Sequence, residues 1–403
     1  MWKSLSDELT REAQYCTAKS ALYHDLLSEL LAWTEAIRRG ESDALHVGQF
    51  KSALERRWAG REFQSWFERP LLLVAALHRL VRAGQAPRLA PFYATIGGSY
   101  HRDRDRVALG AALADLLAAT PEVFSATLAA QRLQTNETSR GVAWLVPYAV
   151  LNARLRRPAI VIELGCSGGL NLLADRYGWE FAIEGASAPP PSARPVFRQA
   201  LMSTFNTGLR SRLDALPETS RLIARRLGCD LAVPDLTTED DLAALSACVW
   251  GDDRERLDRL REAAEQLIAH RRAGSIELSQ ADMLDYVETH VRAQIGAAPP
   301  SLVVVYNTVV TCYVSAEQYA RLRAGVTALF AALPQHRCAW IEHEPLRAGE
   351  VAAAPDAESY IRLHTLQDGA LRTAYLGTAE MHPKNIAWTT SLERLAVDAG
   401  LGI

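Results

Sequence analysis

A strand that runs into a glycine turn is the segment of this sequence best suited to chemistry. Residues 159–171 read AIVIELGCSGGLN, in which Ala159–Leu164 has the apolar, β-branched composition of a buried parallel strand. The glycines between residues 165 and 169 permit a tight turn, and the pattern from Leu170 onward predicts a helix whose N-terminus points at a ligand. This arrangement is typical of a nucleotide-binding corner. The alternative is an ordinary strand-to-helix turn that uses glycine for its geometry alone.

The spacing inside the turn indicates which ligand it binds. A dinucleotide fingerprint has the form G-x-G-x-x-G, whereas this turn has the form E-x-G-x-x-x-G and resembles motif I of class I S-adenosylmethionine (SAM) methyltransferases. SAM carries no phosphate, so its binding depends on close approach of the backbone, which residues without Cβ allow. The resemblance implies SAM as cofactor, with an acid that contacts the methionyl amine. The residues that it assigns to SAM are Glu163, Gly165, Ser167, Gly169 and Asn171.

Polar residues also end three later strands of the predicted sheet, and ligands of open α/β sheets bind at the carboxyl ends of strands. Asp230 is placed to accept hydrogen bonds from the ribose hydroxyls of SAM, although Glu184 lies at a competing distance from the glycine turn. Asp282 and Met283 resemble the acid and apolar neighbour that contact adenine, but Asp282 is equally suited to capping a helix. Asn307 occupies a position close to methyl transfer.

A polar segment, LQTNETSR at 133–140, precedes the apolar segment GVAWLVPYAVLN. One interpretation is a capping box in which Thr135 or Asn136 begins the following helix. The other is a wall of the SAM pocket to which Gln134, Asn136 and Arg140 contribute. The sequence favours neither.

Catalysis on a sulfonium requires in-line positioning and stabilisation of a cation that is being neutralised. Aromatic faces and neutral oxygens suit that task, and the predicted catalytic residues are Asn136, Tyr177, Asn307 and Tyr313. His343 lies between two acids and is either a general base or a structural histidine. No role is predicted for residues 380–383.

Composition excludes several classes of protein. The 403 residues include 44 basic and 47 acidic side chains, which gives no global attraction to nucleic acid or anionic lipid. The six cysteines are scattered, with no pair or Cys/His cluster at metal-ligand spacing, so neither a metal site nor a disulfide framework is predicted. With no apolar leader or long apolar run, we expect a soluble cytoplasmic protein that binds small molecules. Its oligomeric state is open.

The chain divides into two predicted domains. Residues 1–133 have apolar residues at helical spacing throughout and form an all-helical cap or lid. Residues 134–403 alternate predicted strands and helices and form an α/β domain with a Rossmann-like class I SAM methyltransferase sheet.

These segments together are similar to an uncharacterised bacterial family that is grouped with SAM methyltransferase-like folds. The similarity covers nearly the whole chain and includes QTNE at 134–137, ELGCSGGLNLLADRYG at 163–178, VVYNTVVTCYV at 304–314 and HP at 382–383. The sequence departs from the family at Cys166 and Gly168, where small alanine-like residues are usual, and at Asn307-Thr308, where a His-Ser pair is common. The missing histidine removes an obvious general base.

Three functions are consistent with these residues. The first is a SAM-dependent transferase, methyltransferase-like, that acts on a small molecule. The second is a SAM-consuming cyclase of the same fold, in which the methionyl amine of SAM attacks its own γ-carbon, giving azetidine-2-carboxylate and methylthioadenosine. The third is a non-catalytic SAM or nucleotide sensor whose helical region binds a partner.

Overall fold

The computed structural model of the protein describes residues 1–63, 65–183, 186–187, 196–201, 216–347, 349–350 and 357–397. These residues form two units. One comprises Met1–Thr135 and Leu236–Asp258, and the other comprises Asn136–Asp235 and Arg259–Ile403. The first unit therefore includes a segment, Leu236–Asp258, that lies within the range of the predicted α/β domain.

The first unit is helical. Its helices are α1 (Trp2–Cys16), α2 (Ala21–Arg38), α3 (Leu45–Trp58), α4 (Glu68–Arg82), α5 (Arg102–Ala119), α6 (Pro121–Ala130) and Glu239–Ala247. Residues at helical spacing, such as Leu22, Leu26 and Leu30, form its apolar core. His78 is fully buried, with Nδ1 2.9 Å from Val249 O and Nε2 2.8 Å from the Thr95 hydroxyl, so it is a structural histidine.

The second unit contains eleven strands among the residues that the structure describes. They are β1 (Ala159–Leu164), β2 (Gly178–Ile183), β3 (Ala186–Ser187), β4 (Val196–Leu201), β5 (Ile223–Asp230), β6 (Ile276–Gln280), β7 (Leu302–Thr308), β8 (Arg337–Glu344), β9 (Ser359–Gln367), β10 (Ala370–Ala379) and β11 (Asn385–Trp388). The helices are α7 (Val142–Leu155), Leu216–Ser220, Arg254–Arg272 (whose residues 254–258 belong to the first unit), Met283–Asp285, Val291–Ile295, Ala316–Ala331 and Thr390–Val397, with a π-helical turn at Tyr286–His290.

All eleven strands belong to one mixed sheet, in the order β3-β2-β4-β11-β10-β9-β8-β7-β1-β5-β6. The segment from β6 to β8 is entirely parallel, whereas β9 and β10 run antiparallel to their neighbours. From β1 the chain adds β5 and β6 on one side and returns to β7 on the other. The strand order therefore reverses between β1 and β7, which is the topological switch point where open α/β sheets bind ligands.

The central strands β1 and β7 are buried along their whole length, as parallel strands covered on both faces must be. Ile160, Ile162 and Val305 belong to a core shared with the helix Ala316–Ala331 on one face. Glu163 pairs with Tyr306 in register, so their side chains share the opposite face, where the Trp144 ring of α7 stacks on Tyr306 with centroids 5.2 Å apart.

The α/β prediction is confirmed at the level of a mixed, largely parallel sheet with many helices, and β1 has its predicted bounds. The sequence did not predict β9. The helix predicted after the glycine turn is present as a 3₁₀-helix, Leu170–Arg176, that leads directly into β2. Its first N–H is not directed at a ligand, since Leu170 N donates to Asn136 Oδ1 at 3.1 Å.

Candidate functional site

The turn after β1 contains three residues with positive φ. Gly165 has φ +68°, Ser167 +49° and Gly169 +82°. The turn is closed by a hydrogen bond from Gly169 N to Cys166 O at 2.7 Å. A serine in the left-handed region is strained, and such strain concentrates at functional sites.

The glycines of this turn make room for neighbouring side chains of the protein. A Cβ on Gly165 would lie 2.1 Å from Val310 Cγ2, and a Cβ on Gly169 would lie 2.9 Å from Leu278 Cδ2. The glycine requirement therefore arises from packing against the loop after β7 and against β6. The expected approach of a cofactor to these glycines remains a prediction.

Glu163 is the central acid of the site. Its side chain is 1 % exposed, and burial raises the pKa of its carboxyl group to about 8, although the Tyr306 hydroxyl, the Asn171 side chain and the Arg140 charge oppose this rise. In the protein alone the carboxyl group is therefore mostly protonated at neutral pH. A cation bound beside it would favour the ionised form.

Four buried polar atoms lie at this end of β1 and β7, in the turn and in the 3₁₀-helix after it. Among the described residues none of them makes a hydrogen bond of good geometry, although the Tyr306 and Asn171 side chains lie close enough to Glu163 to act on its pKa. They are Glu163 Oε2, Ser167 Oγ, Asn171 Oδ1 and the Tyr306 hydroxyl oxygen. Buried polar atoms in native proteins are normally paired, because each unpaired one costs about 1–3 kcal/mol. Their grouping at the switch point indicates a site that a polar ligand completes.

Three other predicted site residues surround this group. Asn136, which is 6 % exposed, caps the 3₁₀-helix through Leu170 N. The Tyr177 hydroxyl donates to Leu170 O at 2.6 Å, so this tyrosine braces the same turn. Arg140 Nε donates to Met381 O at 2.8 Å, and the guanidinium charge reaches Glu163. The polar segment 133–140 contains the 3₁₀-helix Thr138–Gly141, which leads into α7. Its N-cap is Glu137 and not the predicted Thr135 or Asn136.

Asp230 holds the glycine turn. Its Oδ2 accepts from Ser167 N at 2.7 Å and its Oδ1 from Ala232 N at 3.1 Å. These two bonds fix the backbone of the glycine turn at the end of the neighbouring strand. Asp230 ends β5, the strand beside β1, whereas its competitor at residue 184 lies outside the described residues.

Asn307 lies on the other face of the sheet from Glu163, because it follows Tyr306 by one residue. Its Oδ1 accepts from Trp340 Nε1 at 2.7 Å and its Nδ2 donates to Glu344 Oε1 at 2.7 Å. Both ends of the amide are thus committed to a buried cluster. Asn307 positions the loop after β7 in this structure, and direct contact with a substrate remains a prediction.

The same cluster holds the loop after β7 in an unusual conformation. Glu344 accepts from Val310 N at 2.8 Å, and the preceding Val309 has φ +53°, which is strained for a β-branched residue. Val310 then packs over Gly165. The two strained loops at the switch point are therefore in direct contact.

The remaining predicted site residues lie elsewhere. Asp282 caps the helix Met283–Asp285, accepting from Leu284 N at 2.8 Å, so the capping interpretation is observed and adenine contact is untested. Met283 packs at the edge of the apolar core. Tyr313 lies in the 3₁₀ turn Thr311–Tyr313 after β7. Gln134 belongs to the helical unit.

His343 has the properties of a structural histidine. It is fully buried, its Nε2 lies 2.7 Å from the Ser359 hydroxyl, and burial, with the positive charge of Arg140, lowers its pKa to about 3. It is neutral at physiological pH. Among the residues that the structure describes, no group of three or more His, Cys, Asp or Glu side chains is arranged to hold a metal ion.

Sequence reasoning missed two participants. Glu344 anchors the loop after β7, and Glu137 contacts His382. Their positions in the sequence could have indicated them, because Glu344 ends β8 and Glu137 lies inside the polar segment 133–140. His382 lies in the loop between β10 and β11, and only the fold brings it to that segment.

The fold and site define a mixed α/β protein with a polar site at the switch point of its sheet. The chain belongs to the bacterial family described as "Uncharacterized protein conserved in bacteria (DUF2332)", whose model matches residues 6–388. No curated protein and no solved structure matches the chain. In the described part of the chain, no single helix has both the length and the apolar character needed to cross a bilayer. The helices Arg102–Ala119 and Pro121–Ala130 meet these two criteria only when counted together, across a bend of 94°.

Proposed function

We propose that the protein is a SAM-dependent transferase, methyltransferase-like, that acts on a small molecule. One observation carries the proposal: four unpaired buried polar atoms meet at the switch point, around a glutamate whose pKa is raised to about 8. A ligand suited to this site is polar, carries a cation for Glu163 and offers donors and acceptors to the serine, asparagine and tyrosine atoms. The methionyl part of SAM meets these requirements.

The chain's residues would divide the binding of SAM between them. Glu163 would hold the methionyl ammonium, with Ser167 Oγ and Asn171 Oδ1 as further partners. Asp230, at the end of the strand beside β1, would accept the ribose hydroxyls while it still holds Ser167 N. Asp282, at the end of β6, is the residue proposed for adenine.

Bound SAM supplies an activated methyl group on a sulfonium. The protein's contribution is positioning and a suitable electrostatic surface. The Tyr306 ring, held by its stack on Trp144, provides an aromatic surface beside Glu163 that favours a cation. Asn136 and Tyr177 fix the turn that carries the binding groups, through Leu170 N and Leu170 O.

The SAM-consuming cyclase is a second candidate, favoured by a specific property of Glu163. An amine must lose its proton before it can attack carbon, and free α-amino groups have a pKa of about 7.7–8.0. Glu163, once ionised beside the bound ammonium, would accept that proton, and its burial favours the protonated carboxyl group that results. The same residue therefore serves either as an ammonium partner or as a base.

Titration with SAM, followed by mass analysis of the adenosyl products, tests both candidates. We expect SAM to raise the melting temperature of the protein. In Glu163→Gln, at least ten times more SAM should be needed for the same rise. S-adenosylhomocysteine as product supports methyl transfer, and methylthioadenosine supports cyclisation. Binding with neither product would favour a sensor, and no stabilisation at millimolar SAM would refute all three.

A further inference from the structure

Two arginines hold a carboxylate of the protein itself after β8. Glu350 Oε2 accepts from the backbone N–H of Arg347 at 3.0 Å and from Nη1 of Arg362 at 2.7 Å. The Glu350 side chain is 29 % exposed, whereas that of Arg362 is 2 % exposed. A guanidinium N–H and a backbone N–H that converge on one carboxylate oxygen are the donors of a charge-assisted anion site. The Glu350 site, defined by these three residues, therefore accepts a carboxylate.

Arg362 has hydrogen-bonding capacity that Glu350 does not use. Among the described residues its Nε and Nη2 make no hydrogen bond, and neither does Oε1 of Glu342. Glu342 Oε2 lies 3.6 Å from Arg362 Nε, which is close enough for an ion pair but too long for a hydrogen bond. Arginine binds carboxylates best through two parallel N–H groups, one to each oxygen. A ligand carboxylate that uses both Nη1 and Nη2 would satisfy a buried donor that Glu350 leaves unpaired.

Two further guanidinium groups add positive charge beside Arg362. The guanidinium carbon of Arg347 lies 4.4 Å from the centroid of the Tyr319 ring, and that of Arg323 lies 6.0 Å from the same centroid. The Tyr319 hydroxyl donates to Glu342 Oε2 at 2.8 Å, which places both groups near the ion pair of Glu342 and Arg362. Among the described residues, neither group forms an ion pair with a carboxylate of its own. These charges favour an acidic ligand.

Arg347 also connects the Glu350 site to the loop after β7. Its guanidinium donates to Thr311 O at 2.6 Å. In the same loop, Val310 packs over Gly165 of the glycine turn. The Glu350 site follows β8, which pairs in parallel with β7. It therefore lies at the carboxyl ends of the parallel strands, at the edge of the sheet where the proposed SAM site lies.

We propose that Arg362 binds a carboxylate of the acceptor substrate, and that Glu350 occupies this position in the ligand-free protein. The inference rests on the proposed methyl transfer and names its substrate class, small molecules that carry a carboxylate. Glu350 is the exchangeable group, because it is partly exposed whereas Arg362 and Glu342 are buried. A doubly charged phosphate suits the site less well, because Glu342 would repel it more strongly than a single carboxylate.

Titration with propionate in the absence of SAM tests the Glu350 site. The Arg362 Nε–H resonance in NMR, assigned by its absence in Arg362→Lys, reports binding at constant ionic strength. Glu350→Gln removes the competing charge at nearly constant size, so propionate should bind this variant at least about fivefold more tightly than the wild-type protein. Glu317→Gln is the matched control: it removes the same charge from an exposed position, and affinity should stay within about 1.5-fold. Propionamide, the neutral isostere, should leave the resonance unchanged.

Arg362→Lys tests the guanidinium itself. Lysine keeps the positive charge but lacks the planar pair of N–H groups, so in combination with Glu350→Gln it should weaken propionate binding at least about tenfold. The rise in melting temperature with propionate measures this, after circular dichroism has shown that the variant is folded. Equal propionate affinity in the wild-type, Glu350→Gln and Glu317→Gln proteins would overturn the inference. Tighter binding of inorganic phosphate than of propionate would also overturn it.

Saturating SAM decides which molecule supplies the carboxylate. The propionate affinity of Glu350→Gln should stay within about twofold when SAM is bound, because an acceptor and SAM occupy separate positions. Competition between the two would assign Arg362 to the methionyl carboxylate of SAM and overturn the acceptor role. Failure of the wild-type protein to bind SAM would overturn the proposed function instead, and the propionate titrations without SAM would still show whether Arg362 binds a carboxylate.

Discussion

Two buried glutamates at strand ends in the same sheet have opposite surroundings. Glu344, at the end of β8, accepts hydrogen bonds from Asn307 Nδ2 and Val310 N, so its cluster is closed by protein groups. For Glu163, near the end of β1, no described residue forms a hydrogen bond of good geometry with Oε2, and the same holds for polar atoms of Ser167, Asn171 and Tyr306 nearby. Burial raises the pKa of both carboxyl groups.

This contrast indicates that Glu344 stabilises the fold, whereas Glu163 is suited to bind a ligand. Removing Glu344 would leave buried donors unsatisfied, whereas Glu163→Gln would replace a carboxyl group that is already mostly uncharged in the ligand-free protein at neutral pH. The two clusters are linked, because Glu344 fixes Val310 and Val310 packs on Gly165. Four substitutions distinguish the two clusters, and the largest effect is expected at Gly165.

Gly165→Ala should abolish SAM binding and cost about 3–5 kcal/mol in unfolding free energy. The new Cβ would lie 2.1 Å from Val310 Cγ2, which adds overpacking to the cost of positive φ. Gly274→Ala is the control, since φ is +70° there with nothing near the new Cβ. Chemical denaturation should give about 1 kcal/mol for the control. Equal losses in the two variants would show that Gly165 serves backbone geometry alone.

Glu344→Ala should destabilise the protein by about 3 kcal/mol. Asn307 Nδ2 and Val310 N would lose their acceptor in a buried site, at about 1–3 kcal/mol for each unsatisfied donor. Glu344→Gln keeps one acceptor oxygen and should lose less than half as much. Urea unfolding of the three proteins measures this. A stable alanine variant would contradict the structural role of the cluster.

Glu163→Gln should stabilise the ligand-free protein at pH 8 by about 3–4 kcal/mol more than at pH 5. The unfolded carboxyl group ionises near its ordinary pKa of 4.5, while the folded one stays protonated up to about 8. The folded wild-type protein thus binds more protons across this window and loses up to about 1.4 kcal/mol of stability per pH unit as the pH rises. The glutamine variant has no such dependence. A difference that is the same at pH 5 and pH 8 would contradict the raised pKa.

Ser167→Ala has the smallest expected effect on folding, within about 0.5 kcal/mol, because its hydroxyl has no partner to lose. SAM affinity should fall about threefold to tenfold, since a hydrogen bond is worth about 0.5–1.5 kcal/mol. Thermal melts with and without SAM separate the two quantities. A large loss of stability with unchanged affinity would make Ser167 structural.

The sequence was sufficient where local pattern determines structure. The apolar run Ala159–Leu164 became β1, and the acid at Asp230 ends the strand beside it. The sequence was not sufficient to predict structure that depends on contacts with residues elsewhere in the fold. The helix expected after the glycines is a 3₁₀-helix, and Asn136 and Tyr177, which lie on either side of it in the chain, bond to the N–H and the carbonyl of Leu170. Asn307 lies on the face away from Glu163, because side chains alternate along a strand and Tyr306, not Asn307, pairs with Glu163. The motif alone does not specify this register.

The contact between Glu137 and His382 illustrates the same limit. The two residues are far apart in the chain, and their 3.4 Å contact depends on β10 and β11 joining the sheet. Nothing in the composition of either segment indicates this pairing. Residues that act together across the sheet require the strand order, which local periodicity does not contain.

Calorimetry of SAM binding at pH 7, in buffers of different ionisation enthalpy, tests whether Glu163 binds the ligand. Glu163 is mostly protonated in the free protein and becomes ionised beside the methionyl ammonium, so the wild-type protein should release close to one proton for each SAM bound. Glu163→Gln should bind at least tenfold more weakly and release none. SAM binding with no proton release, or with equal release in the variant, would contradict the assignment of Glu163 to the ligand.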